Sequence, residues 1–177
     1  MKWMTLALLG TITACSAATS NQPHATASNV ASPRAAFEKY ETFSFAPANP
    51  PTPGYETTAR SLEVQRRLTP IVKASLEERG YSESTETPDL LIKLSAGSGA
   101  VTGDEAKRGD VTAHASRGFI GIDAYDRATG AEIWRGTAVA EIDPARIDEA
   151  LLTRGVESML EGFPVQREPR AQAALVH

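Results

Sequence analysis

Along this chain apolar residues recur first at every second position, then at every third or fourth, then at every second again, and finally at helical spacing. A period of two marks a half-buried strand and a period near 3.6 an amphipathic helix. Tyr40–Ala46 (YETFSFA) sets Phe43 and Phe45 on one face and Thr42 and Ser44 on the other, as a strand does. Pro47–Gly54, with four prolines and one glycine, is a loop. Glu56–Gly80 then reads as helical, interrupted at Pro70. Thr69 and Pro70 have the chemistry of a helix cap followed by a first-turn proline, so a start or a kink is expected there. Leu68, Val72 and Leu76 form its buried stripe, Glu63 and Arg67 a surface pair, and Gly80 its end.

Three strands follow. Leu90–Ser95 (LLIKLS) and Phe119–Asp126 (FIGIDAYD) alternate cleanly and are expected to form a long hairpin around the Gly-rich span Ala96–Gly118. In that hairpin Val111–Ser116 extends the second strand, and Ser98–Asp110 forms a mobile tip. Gly130 makes a tight turn into Ala131–Ile142, where Trp134 points inward with Gly136, Ala138 and Ala140. Lys93, Asp123 and Arg135 then share the outer face, joined by Tyr125, Ile133 and Val139. Asp143 and Pro144 repeat the cap-plus-proline start, and Ile147, Leu151, Val156, Met159 and Phe163 mark a last helix closed by Pro164. The expected fold is α+β, a two-layer sandwich with a mostly antiparallel four-stranded sheet and two helices on one face, in the order β-α-β-β-β-α. A crossover through the first helix sets the first strand parallel to a neighbour.

The N-terminus has a different grammar. Met1 and Lys2 are followed by the apolar run Trp3–Ile12, the length of a secretory h-region and too short to span a bilayer. The run ends in Ile12-Thr13-Ala14-Cys15, which resembles the lipobox of bacterial lipoprotein signals. That resemblance implies cleavage after residue 14 and acyl chains on Cys15, and two or three chains anchor stably where one is marginal. Ser16, in place of the Asp typical of retained lipoproteins, implies transport to the outer membrane with the body facing the periplasm. The expected organisation is a signal peptide over 1–14, the lipidated Cys15 with a flexible tether over 15–36, one domain over 37–168 and a disordered tail over 169–177. The tether is Ala-, Ser- and Thr-rich with too little apolar surface to order itself, and would reach roughly 25 Å.

Composition narrows function mainly by exclusion. The chain has 177 residues with 18 basic and 22 acidic side chains, a net charge of −4. Without 1–14 the counts are 17 and 22, so attachment to anionic lipid or nucleic acid by charge is not expected. One cysteine forms no internal disulfide and no metal cluster.

YETFSFAP (Tyr40–Pro47), LEERGY (Leu76–Tyr81), PDLLIKL (Pro88–Leu94), IDAYDRATGAEIWRG (Ile122–Gly136) and MLEGFP (Met159–Pro164) occur in this order. Together they resemble the bacterial lipoprotein family known as domain of unknown function (DUF) 4136, over about Phe37 to Pro164. The family brings no catalytic residue to carry over. Gly97–Asp104 (GSGAVTGD) mimics a phosphate loop, yet Asp104 stands where a Lys is needed. His24 reads as a solvated tether residue, and His114 is the one histidine that could serve as a base, for Ser116 or an acid. The carboxylates Asp104, Glu105 and Asp110 lack calcium-loop spacing. No catalytic, metal or cofactor site is therefore expected. The candidate interaction surface is Tyr125, Arg135 and Asp123, for an envelope protein partner, with the membrane held through Cys15. The competing expectation is a small periplasmic hydrolase or ligand-binding domain using His114 and nearby carboxylates.

Overall fold

The computed structural model describes residues 25–100, 116–143 and 146–166. Its strands are β1 (Thr26–Ala31), β2 (Thr42–Phe45), β3 (Ser82–Glu83), β4 (Leu90–Ala100), β5 (Ser116–Asp126) and β6 (Glu132–Ile142). The helices are α1 (Ala59–Glu78) and α2 (Glu149–Leu160), with a 3-10 turn at Phe37–Lys39. The strands form one mixed sheet in the order β1-β6-β5-β4-β2-β3. β4, β5 and β6 are antiparallel, and β2 runs parallel to both β4 and β3.

The α+β class, the parallel first strand and the two helices match expectation; the four-stranded sheet does not. Thr26–Ala31 falls in the segment expected to be a tether, yet pairs antiparallel with β6, Thr26 opposite Val139 and Ala31 opposite Trp134. Five of its six residues stay exposed, so it has no apolar alternation to announce it. Backbone pairing, which any sequence supplies, brings it in. β3 is two residues long and equally silent. β4 runs on through Ser98 and Gly99, which were expected to begin a mobile tip. The remainder of that tip, 101–110, and all but Ser116 of the expected strand extension Val111–Ser116 lie outside the described residues.

α1 is continuous across Pro70. Its cap is Thr58, eleven residues before the cap expected at Thr69, and Thr58 and Ser61 cap each other reciprocally. Pro70 is exposed, so its ring meets solvent and not the core. Gly80 ends the helix with φ +89°, a conformation only glycine adopts without strain. α2 starts at the cap Asp148, whose carboxylate accepts from the Leu151 N–H at 2.9 Å, and not at the Asp143 cap expected. Pro144 lies outside the described residues.

Both helices cover one face of the sheet. Phe43, Leu90, Ile92, Ile122 and Trp134 meet Leu68, Val72 and Leu76 of α1 and Val156, Met159 and Leu160 of α2 in one core. Ile133, expected on the outer face, is buried at 6% exposure. The register slips there, Ala124 opposing Trp134 and Tyr125 opposing Glu132, so Ile133 is the extra residue of a bulge and breaks the alternation.

Candidate functional site

The outer face of the sheet is built by β4, β5 and β6, which place Lys93, Asp123, Tyr125 and Arg135 side by side. Lys93 stands opposite Asp123 and Asp123 opposite Arg135 in the ladder. Strand alternation thus delivers all three sequence candidates, Asp123, Tyr125 and Arg135, to one patch. Arg135 Nε donates to Asp123 Oδ1 at 2.8 Å and its Nη2 to Glu132 Oε2 at 2.6 Å. The Tyr125 hydroxyl donates to Glu132 at 3.3 Å, and Lys93 Nζ sits 4.5 Å from the centre of the Tyr125 ring.

Asn49 completes the cluster and was not foreseen. Its amide donates to Asp123 Oδ2 at 2.6 Å and to the Tyr125 hydroxyl at 3.1 Å. It sits in the Pro-rich loop after β2, which folds back over the outer face. Tyr55 of the same loop packs on Phe119 with ring centres 5.1 Å apart, and Glu56 bridges Ser98. Gly97 leaves the room this needs, because a Cβ there would lie 2.9 Å from both Pro51 and Tyr55. The only signal in the sequence was the proline density, which marks a rigid loop but not where it lies.

The loop buries Asp123 to 5% exposure while the Arg135 side chain stays 51% exposed. The hydrogen bond to Asp123 holds the Arg135 guanidinium more firmly charged than usual. The arrangement presents an Arg and a Tyr held by hydrogen bonds, with Lys93 over the Tyr125 ring, on the outer face of the sheet. The carboxylates of the cluster are engaged by Arg135, Asn49 and Tyr125.

A second feature lies on the opposite, helix-bearing face, as a cavity of about 280 Å³ between the sheet and the first turns of α1 and α2. Among the described residues no group of three His, Cys, Asp or Glu is placed to hold a metal, and no helix is long and apolar enough to cross a membrane. Cys15, His24, His114 and His177 lie outside the described residues, as do Asp104, Glu105 and Asp110. Ser116 opens β5.

The family model described as a domain of unknown function, DUF4136, matches residues 27–165. No curated protein matches the chain. Among solved structures, a PDZ domain protein from Parabacteroides distasonis ATCC 8503 is similar at TM-score 0.59 and 12% identity, over 82% of this chain and 37% of that one. The chain thus spans little more than a third of that protein. The PelC dodecamer from Paraburkholderia phytofirmans is similar at TM-score 0.52 and 12% identity, over 81% of this chain and 99% of that one. At such identities the likeness is one of fold.

Proposed function

The chain belongs to the DUF4136 family, and from that premise we propose that it is a lipid-anchored protein of the cell envelope whose folded body is a non-enzymatic binding or scaffolding domain. The Ile12–Cys15 lipobox supports the anchor, and Ser16 supports an outer-membrane address facing the periplasm. The observation that carries the binding role is the locked outer-face cluster. Tyr and Arg dominate the energetics of protein interfaces, and a side chain already held in its bound conformation loses less entropy on association. Here Asn49 and Glu132 hold Tyr125, and Asp123 and Glu132 hold Arg135. The hydrolase alternative rests on His114 and its nearby carboxylates, which lie outside the described residues.

The test uses the full chain in its own membranes, with a photo-crosslinking side chain at position 91, a half-buried outer-face position opposite Tyr125 in the ladder, and a paired Tyr125→Ala, Lys93→Glu variant. Arg135 is spared because its loss would unpair the buried Asp123. A partner crosslinked in the parent should be lost in the variant, with the melting temperature unchanged. Equal crosslinking in both would remove the outer face from the account. Intact mass and fractionation of the parent beside Cys15→Ser test the anchor separately.

A further inference from the structure

The cavity on the helix side is a product of side-chain size. Deeper in the core the sheet and helices meet through Ile92, Ile122, Trp134 and Met159. Nearer the open end the corresponding positions are Ala96, Ala138 and Gly155, too small to close the gap between the layers. Val64, Ile120 and Leu152 complete apolar walls, and the exposed Glu141 and Arg146 stand at the rim with opposite charges. Water gains little in such a space, since it needs two to four polar partners. Its 280 Å³ is nearly twice the roughly 150 Å³ that holds one benzene ring, so it has room for about ten carbon atoms. Mixed charge at the rim favours no ionic head group. The fitting ligand is an uncharged hydrocarbon chain.

The wall also includes Ala25, the first described residue, next to the spot where a Gly155 Cβ would point, 3.9 Å away. The chain therefore leaves for its N-terminus from the cavity itself. Cys15 lies ten positions before Ala25, an extended reach of at most about 35 Å. We infer that the cavity houses one of the acyl chains carried by Cys15. The inference rests on the lipid-anchor reading. About ten carbons of the chain lodged there are shielded from water whenever the body is away from a membrane, and are exchanged into the bilayer on arrival.

Decanol, an uncharged ten-carbon chain labelled with 13C at its methyl, is the probe, read by NMR. The unlipidated Cys15→Ser protein should bind one decanol. The lipidated parent, freed of detergent, should bind it at least tenfold more weakly, because its own chain competes. Adding Gly155→Leu to Cys15→Ser should abolish binding, and Val64→Phe, which approaches from a half-buried helix position, should do the same should the glycine variant fail to fold. Intact mass of the parent separates the two readings. A mass without acyl groups overturns the anchor, and the inference with it. An acylated mass with decanol bound equally by parent and Cys15→Ser, or by neither, overturns the inference and leaves the anchor standing.

Discussion

Asp126 accepts four hydrogen bonds. The Tyr40 hydroxyl at 2.8 Å and Lys39 Nζ at 3.0 Å reach Oδ2, and the Ala128 and Thr129 N–H groups at 2.8 and 3.0 Å reach Oδ1. The Tyr40 hydroxyl foremost, then Lys39 and the Thr129 N–H, hold this carboxyl well below the usual carboxylate range. A folded-state pKa depressed in this way adds stability above the unfolded value near 3.9, and that stability is lost as pH falls through the folded value. Asp126→Asn should therefore lose about 2 kcal/mol at pH 7, and the gap to the parent should shrink in urea melts below about pH 4. A gap as wide at pH 2.5 as at pH 7 would contradict this. Gly136 is constrained differently. A Cβ there would run into the Trp134 ring and approach Met159 Cβ to 3.1 Å, and Trp134 is 1% exposed and packed edge-on against Phe163. Gly136→Ala is expected to cost about 2 kcal/mol in the same melts, since a buried ring has nowhere to move.

At the level of elements, α1 holds an interior proline without breaking. Pro70 supplies no N–H to the turn before it, and its ring crowds the preceding carbonyl. Nothing in the core depends on the ring, because residue 70 is exposed while its neighbours Leu68 and Val72 are fully buried. Pro70→Ala should then raise stability by about 1–3 kcal/mol, seen as a higher melting temperature, with the helix otherwise unchanged. An unchanged or lower melting temperature would mean that the packing of α1 has adapted to a bend there. The capping box at Thr58 lay within reach of a sequence reading, yet the Thr69-Pro70 pair is the stronger local signal. Burial of the stripe before and after it overrides that signal, since tertiary packing outweighs propensity.

For the whole molecule, the consequence of β1 is that the N-terminal boundary of the domain lies earlier than composition suggests. β1 closes the sheet beside β6, and the Asn29 side chain fills the space over Gly162, next to the end of α2. Removing residues 1–24 should leave the thermal melt of the body unchanged, whereas removing 1–31 should lower it by about 5 °C or more, because β6 then loses its backbone partners and is left as a bare edge. Equal melts would show that β1 only rests on the sheet.

Four strands, two helices and the patch of Asp123, Tyr125 and Arg135 were legible in the residues, because each is set by alternation over a few positions and a half-buried strand writes its burial into that alternation. The lipobox is likewise a local word, readable without any fold. Other features depend on contacts between segments far apart in the chain. β1 is held by backbone groups that carry no side-chain signature. Asn49 reaches Asp123 across a separation of 74 residues. The bulge turns Ile133 inward. The cavity exists because Ala96, Ala138 and Gly155, small for unrelated reasons along the sequence, meet at one level between sheet and helices. Periodicity records which way a side chain faces, and only packing fixes what it faces.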